Sequence, residues 1–292
     1  MLSHLGESLP VAHRRFQAIE RKFLTNAKLQ TDYSQFMEDY ESLGHMEAIN
    51  PDFSTPHFFL PHHAIFRPDN TTTKIRVVFD GSCRSVNNLS LNDIRYIGPT
   101  VQPPLLATSM NFRMTKYVIT TDAEKMYRQI RVHCSDRALQ QIVWRKYQSE
   151  ELKIYHLNTV TYGTACAPFL ATRVLNQLAE DGRDQFPLAA RLVQRSFWLE
   201  TTTSNVLMMK LFSSGGFVLR KWNSNDSEVL SHIPEHLRDN RDDREIDKSS
   251  SVKTLGLLWH PQSDCFGFKG TTTVIVRANN GADCFVRDVQ II

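Results

Sequence analysis

The stretch VITTDAEKMYRQIRV, residues 118–132, ends a β-branched run on Asp122 and places Tyr127 five residues later. A carboxylate at a strand end can hold a divalent cation, but a single carboxylate rarely holds it tightly enough for catalysis. Cationic partners stand upstream. In KIRVVFDG, Lys74 and Arg76 are two residues apart, so a strand puts both side chains on one face. Such a pair facing an acidic strand end suits a metal-bound triphosphate: metal ions bridge phosphate oxygens and the cations neutralise the remaining charge. The spacing from Asp122 lets a turn bring the Tyr127 ring under the same cleft. In YGTACAPF, Gly163 and other small residues precede a helix, where backbone can approach a ligand or a nucleic-acid strand closely.

Each of these residues has a second role open to it. An aspartate at a strand end also serves as a turn residue or helix cap. Lys74 and Arg76 also suit the solvated face of an edge strand, and Tyr127 suits a core. His57, His62 and His63 cluster in PHFFLPHHAIF without a cysteine pair nearby, so polar-loop and packing roles are favoured over zinc. The basic face of HRRFQAIERK suits either solvent or a phosphate backbone.

The elements that must position these side chains follow from apolar spacing. Leu9, Ala12, Phe16, Ile19 and Phe23 predict a helix over residues 8–25. Thr31 is the expected cap of a second helix with Tyr33, Phe36 and Tyr40 on its apolar face, ending at Gly44. NPDFSTPHFFLPHH, with three prolines, reads as an extended connector. KIRVVFDG alternates Ile75, Val77 and Phe79 against Arg76 and Val78. KYVITTD, RQIRVH, QQIVWRK, LKIYHLNTVTYG, GFVLRKW and KTLGLLWH are further strands. APFLATRVLNQLAED is helical, with Phe169, Val174, Leu175 and Leu178 on one side and Gly182 as the stop; SNVLMMKLFSSGG is a shorter helix. RDNRDDREIDKSSS is a solvated loop. TTTVIVRA and DCFVRDVQII are two short strands around an Asn-Asn-Gly turn, and Trp144, Trp222 and Trp259 are core or sheet-face residues. Irregular alternation without a glycine-rich phosphate loop predicts an α+β fold with a mainly antiparallel sheet.

The 292 residues are enough for one large or two small domains with a packed core. The net charge of +3 neither requires nor excludes nucleic acid. Five cysteines without a C-x-x-C pair argue against a disulfide framework or a zinc ribbon. With no apolar run long enough for a signal peptide or a bilayer span, the expectation is a protein of the cytoplasm or nucleus that does not engage a membrane.

Taken in order, LPHHAIFRPDNTTTKIRVVFDGS, LSLNDIRYIGPTVQPPLL, DAEKMYRQIRV and LNTVTYGTACAPFLATRVLNQLA resemble the reverse transcriptase of BEL/Pao-type long-terminal-repeat retrotransposons. LGESLPVAHRRFQAIERKF and YSQFMEDYESLGHM resemble the segment before the polymerase; GGFVLRKWNSN and VKTLGLLW resemble later palm and primer-contact segments. The resemblance implies a helical segment over residues 1–50, fingers and palm over 51–268, and a tail over 269–292. It implies an α+β palm of antiparallel strands backed by helices. Asp122 then matches the first metal-binding aspartate and the catalytic residue. Tyr127 matches the bulky residue under the sugar, selecting deoxynucleotides. Lys74 and Arg76 match finger residues on the incoming triphosphate, Gly163 and Ala167-Pro168 the nucleotide pocket, and Leu255-Gly256 the turn on the primer end. The implied partners are a template–primer of RNA or DNA and a deoxynucleoside triphosphate, with Mg²⁺ as cofactor.

The sequence departs from the family at one decisive place. The family carries a Tyr-x-Asp-Asp turn on a hairpin next to the first aspartate's strand. After the lead-in PLAARLVQRSF this chain has Trp198, Leu199, Glu200 and Thr201 there, and a shortened interval to Gly215-Gly216. Glu200 can stand for one carboxylate; Thr201 cannot stand for the other. Asp242-Asp243 lies in the solvated loop, without flanking strand residues. The expectation is therefore a truncated or degenerate copy with an incomplete palm hairpin and no polymerase activity, or a non-enzymatic nucleic-acid-binding remnant. A poorly folding product without a selected role is a third possibility. The tail faintly resembles the extreme C-terminal segment of the same polyprotein.

Overall fold

Pro10 lies in the first turn of helix α1 (Leu9–Thr25), where its missing N–H leaves no hydrogen bond unmade. Ala12, Phe16, Ile19 and Phe23 form its buried stripe. The computed structural model describes residues 5–66, 75–101, 116–194, 203–239, 252–254, 257–261, 265–267 and 275–277, with 104, 107, 110, 112 and 114. The chain divides into two units, Met1–Thr100 with Lys125–Arg173, and Val101–Glu124 with Val174–Ile292.

In the first unit, helix α2 (Ala27–Ser42) follows α1 after a single residue. Its cap is Asn26, whose Oδ1 accepts from the Leu29 N–H at 2.9 Å. Thr31, the expected cap, lies inside the helix and bonds back to the Ala27 carbonyl; the cap signal five residues earlier wins because Ala27–Gln30 can already continue the helical stripe. Tyr33, Met37 and Tyr40 are buried, Phe36 partly so. The helix stops before Gly44, whose φ of 71° suits a residue without a Cβ.

Three antiparallel strands, β1 (Met46–Ile49), β6 (Lys153–Leu157) and β5 (Gln141–Trp144), form one sheet in that spatial order. A hairpin of β2 (His62–Phe66) and β3 (Ile75–Phe79) forms another. β3 alternates as its sequence predicts, with Ile75, Val77 and Phe79 buried and Arg76 and Val78 half-buried. β2 falls at the end of the expected connector. In the same connector, Phe58, Phe59 and Leu60 are core residues, because the extended backbone pairs with β5: Leu60 N–H to Gln141 O at 2.7 Å and Gln141 N–H to Phe58 O at 2.9 Å. RQIRVH does not form the strand its alternation predicts. Lys125 is left-handed (φ 48°) and turns Met126–Gln129 into a 3₁₀ helix. Only Ile130 and Val132 then reach the neighbouring backbone, at Val160 and Asn158.

Two polar groups are built into this core. Arg145 donates to both carboxylate oxygens of buried Glu20, at 2.7 and 3.1 Å, tying α1 to the segment after β5. His62 is buried between the Tyr33 hydroxyl and the Val143 carbonyl, 2.9 Å from its Nε2. A carbonyl only accepts, so Nε2 carries the proton, and Nδ1 accepts from Tyr33. Trp144 stacks on Tyr33 at 5.4 Å and meets Phe16 edge-on at 5.5 Å. His62 is thus a packing residue.

The second unit pairs β4 (Ile119–Ala123) with β7 (Leu219–Ser224) and contains a four-stranded antiparallel meander. Its strands are β8 (Val252–Thr254), β9 (Leu257–His260), β10 (Cys265–Gly267) and β11 (Ile275–Arg277). KTLGLLWH is therefore two paired strands, with Thr254 opposite Leu257, where one was expected. β10 was not anticipated, and DCFVRDVQII lies outside the described residues. Helix α3 (Leu91–Ile94) belongs to the first unit and carries a capping box between Ser90 and Asp93. Helix α4 (Ala167–Asp181) is continuous as predicted, but alanines 167, 171 and 179 are its buried positions, whereas Phe169, Val174, Leu175 and Leu178 are half-exposed. Close approach favours small residues on the packed side. Helices α5 (Pro187–Gln194) and α6 (Thr203–Ser214) pack together, and α7 (Ser227–Ser231) packs on β7. The three tryptophans are buried as expected. The fold is α+β with antiparallel sheets, and no described helix is long and apolar enough to cross a membrane.

The buried imidazole gives the core a predictable acid response. Burial lowers the His62 pKa from 6.5 to about 4. The unfolded chain therefore takes up a proton between pH 6.5 and 4 that the folded chain refuses. Stability is complete above pH 6.5 and falls as the pH drops, by about 3 kcal/mol for this group. Urea unfolding at pH 7 and pH 4.5 should show that loss, and His62→Gln, although less stable at pH 7, should show a flatter pH dependence.

Candidate functional site

Asp122 lies on β4, two-thirds exposed, and its register partner on β7 is Arg220. The pairing is irregular at this point. Thr120 faces Asn223 and Asp122 faces Arg220, so Thr121 alone opposes Lys221 and Trp222. This is a β-bulge with the extra residue on β7, and Lys221 adopts φ 54° to make it. The sequence requires the bulge. Leu219 and Trp222 are both buried while Arg220 and Lys221 between them are exposed. A regular strand would put Arg220 and Trp222 on one face.

The bulge re-aims Lys221, whose Nζ comes 4.0 Å from an Asp122 carboxylate oxygen. Arg220 reaches Glu124 at 2.8 Å. Two cations thus share one small area with two carboxylates. A Mg²⁺ site needs several hard oxygen ligands in near-octahedral array, and a neighbouring ammonium opposes the ion's charge. Among the described residues, no group of three or more histidine, cysteine, aspartate or glutamate side chains is suited to hold a metal ion. Among the described residues, those around Asp122 place cations, and no further carboxylate but Glu124, beside it. Glu200 lies outside the described residues, as do Trp198, Leu199, Thr201 and Asp242-Asp243.

Arg76, Tyr162 and Gly163 come together in the first unit. The Arg76 guanidinium lies 4.3 Å above the Tyr162 ring, and no carboxylate among the described residues lies within 4 Å of it. The Tyr162 hydroxyl donates to the Val77 carbonyl, so the ring that carries Arg76 is anchored to the same strand. Gly163 has φ 101°, and a Cβ there would collide with the Phe79 carbonyl oxygen. What approaches this glycine closely is the chain's own backbone. Asn92 on α3 fastens the turn: its Nδ2 donates to Gly163 O at 3.0 Å and Ser82 Oγ at 2.8 Å, and its Oδ1 accepts from the Ala165 N–H at 2.8 Å. Sequence reading missed Asn92, because only the fold brings its partners together.

Tyr127 sits on the 3₁₀ turn after Asp122, half-buried and packed on the core of the first unit. Asp122 belongs to the second unit. Lys74, Leu255 and Gly256 lie outside the described residues. No protein-family profile matches the chain, and no curated protein matches it significantly.

The Gly163 turn yields a direct test. Gly44 has a similar left-handed backbone, but a Cβ there meets nothing within 4 Å. Gly163→Ala should lose at least about 2 kcal/mol of unfolding free energy, whereas Gly44→Ala should lose about 1 kcal/mol. Urea midpoints of the two variants check the difference.

Proposed function

We propose that the chain is a reverse-transcriptase-like domain of BEL/Pao descent that binds nucleic acid and does not polymerise it. The descent is supported by the order of Arg76, Asp122, Tyr127 and Gly163 and by the α+β architecture with antiparallel strands. The loss of activity is supported by one observation above all. The described strand beside Asp122 is β7, which presents Arg220 and Lys221, and the positions the resemblance gives to the carboxylate pair carry Glu200 and Thr201, outside the described residues.

Two-metal phosphoryl transfer needs one ion to activate the primer 3′-hydroxyl and one to hold the triphosphate. An Asp122 carboxylate next to a lysine ammonium supplies too few oxygens for either, so no catalytic step follows from these residues. Binding makes a lesser demand. Arg76 keeps its charge on the Tyr162 face, free of carboxylates among the described residues, and so retains the means to engage a phosphate.

Primer extension on an RNA template, with Mg²⁺ and deoxynucleotides, should give no incorporation above background, and Asp122→Asn should not change that. Incorporation abolished by Asp122→Asn would overturn the claim of inactivity. Arg76→Ala should weaken binding of an RNA–DNA duplex several-fold at low salt and less at high salt.

A further inference from the structure

A second basic surface lies around His45. The 3₁₀ turn Met126–Gln129 carries Arg128, with Lys125 immediately before it and Arg131 two residues after it. The Arg128 guanidinium lies 4.8 Å above the Tyr40 ring and 5.0 Å above that of Phe36. The His45 ring is 5.1 Å from Tyr40, so Arg128 and His45 flank the same tyrosine. Backbone bonds hold the arginine segment beside the histidine. Asn158 donates to the His45 carbonyl at 2.7 Å and accepts from the Val132 N–H at 2.9 Å. The electrostatics agree with this geometry: burial first, and then the charges of Arg128, Lys125 and Arg131, lower the His45 pKa to about 4.

The nearby Glu47 is engaged by Arg137 at 3.3 Å. Neither Arg128 nor Arg131 has a carboxylate within 4 Å among the described residues. Lys125 and Arg131 are exposed, while Arg128 is held in place by two aromatic faces. A cation held on two aromatic faces between two exposed ones suits several screened contacts along a polyanion better than the dehydration of one small anion.

We infer that Lys125, Arg128 and Arg131 form a contact site for the phosphodiester backbone of nucleic acid. The site rests on the reading of the chain as a nucleic-acid binder and does not depend on whether the chain polymerises.

The test is fluorescence anisotropy of a labelled RNA–DNA duplex across a salt series, with the wild-type chain and Lys125→Glu/Arg131→Glu. Both substitutions are at exposed positions, and thermal unfolding checks that the variant folds. The comparison is Lys28→Glu/Lys153→Glu, an equal charge change on exposed positions of α2 and β6. The patch variant should bind roughly tenfold or more weakly, and its slope of log K against log salt should be smaller by about two. The Lys28/Lys153 variant should remain close to wild type. Unchanged binding by the patch variant would overturn the site, as would an equal loss in both variants or no wild-type binding. Inorganic phosphate should not displace the duplex beyond the effect of its ionic strength; displacement at low millimolar concentration would mark a small-anion site and overturn the assignment. Arg76→Ala is read separately, so loss through Arg76 with an intact patch variant would spare the proposed function and remove this site.

Discussion

The pairing of β4 with β7 determines what Asp122 can do. A strand-end carboxylate takes its chemistry from whatever the neighbouring strand presents. Here burial of Leu219 and Trp222 forces a bulge, and the bulge delivers Lys221 to within 4.0 Å of the carboxylate. Core packing therefore sets the electrostatics of the exposed face. The left-handed backbone of Lys221 costs about 1 kcal/mol, which burying the indole of Trp222 readily offsets.

The first unit follows the same logic with a different outcome. Its core excludes water around Tyr33, His62 and Trp144, and every polar atom there needs a partner. His62 satisfies this with both ring nitrogens, and Glu20 with a bidentate arginine. Where the chain must pass close to itself, as at Gly163 beside the Phe79 carbonyl, only glycine fits. These constraints leave Arg76 and Arg128 on aromatic faces, with their guanidinium groups oriented by the rings.

Local patterns were legible in the sequence, and partnerships were not. The spacing of Phe16, Ile19 and Phe23 and the alternation of Ile75, Val77 and Phe79 gave α1 and β3, because burial on one face imposes a period. Phe58–Leu60 read as a connector because prolines flank them, yet prolines do not prevent an extended segment from packing. The bulge left no mark, since a lysine rather than a glycine takes the left-handed position. Asn92 and Asn158 are ordinary polar residues until the fold supplies their carbonyl and amide partners. In the candidate site, the meeting of Arg76 with Tyr162 and of Arg128 with Tyr40 joins distant segments, which no local pattern encodes. Glu200 and Thr201, where the resemblance places the carboxylate pair, lie outside the described residues.

Asp122, beside Lys221, should have no measurable affinity for a divalent ion. Mn²⁺ substitutes for Mg²⁺ at oxygen sites, and its electron paramagnetic resonance signal distinguishes free from bound ion. Titration of the whole chain with Mn²⁺, with and without a deoxynucleoside triphosphate, should show no protein-bound ion that depends on Asp122, and Asp122→Asn should leave the curve unchanged. A stoichiometric bound ion that disappears in Asp122→Asn would contradict the assignment of this carboxylate to an ion pair.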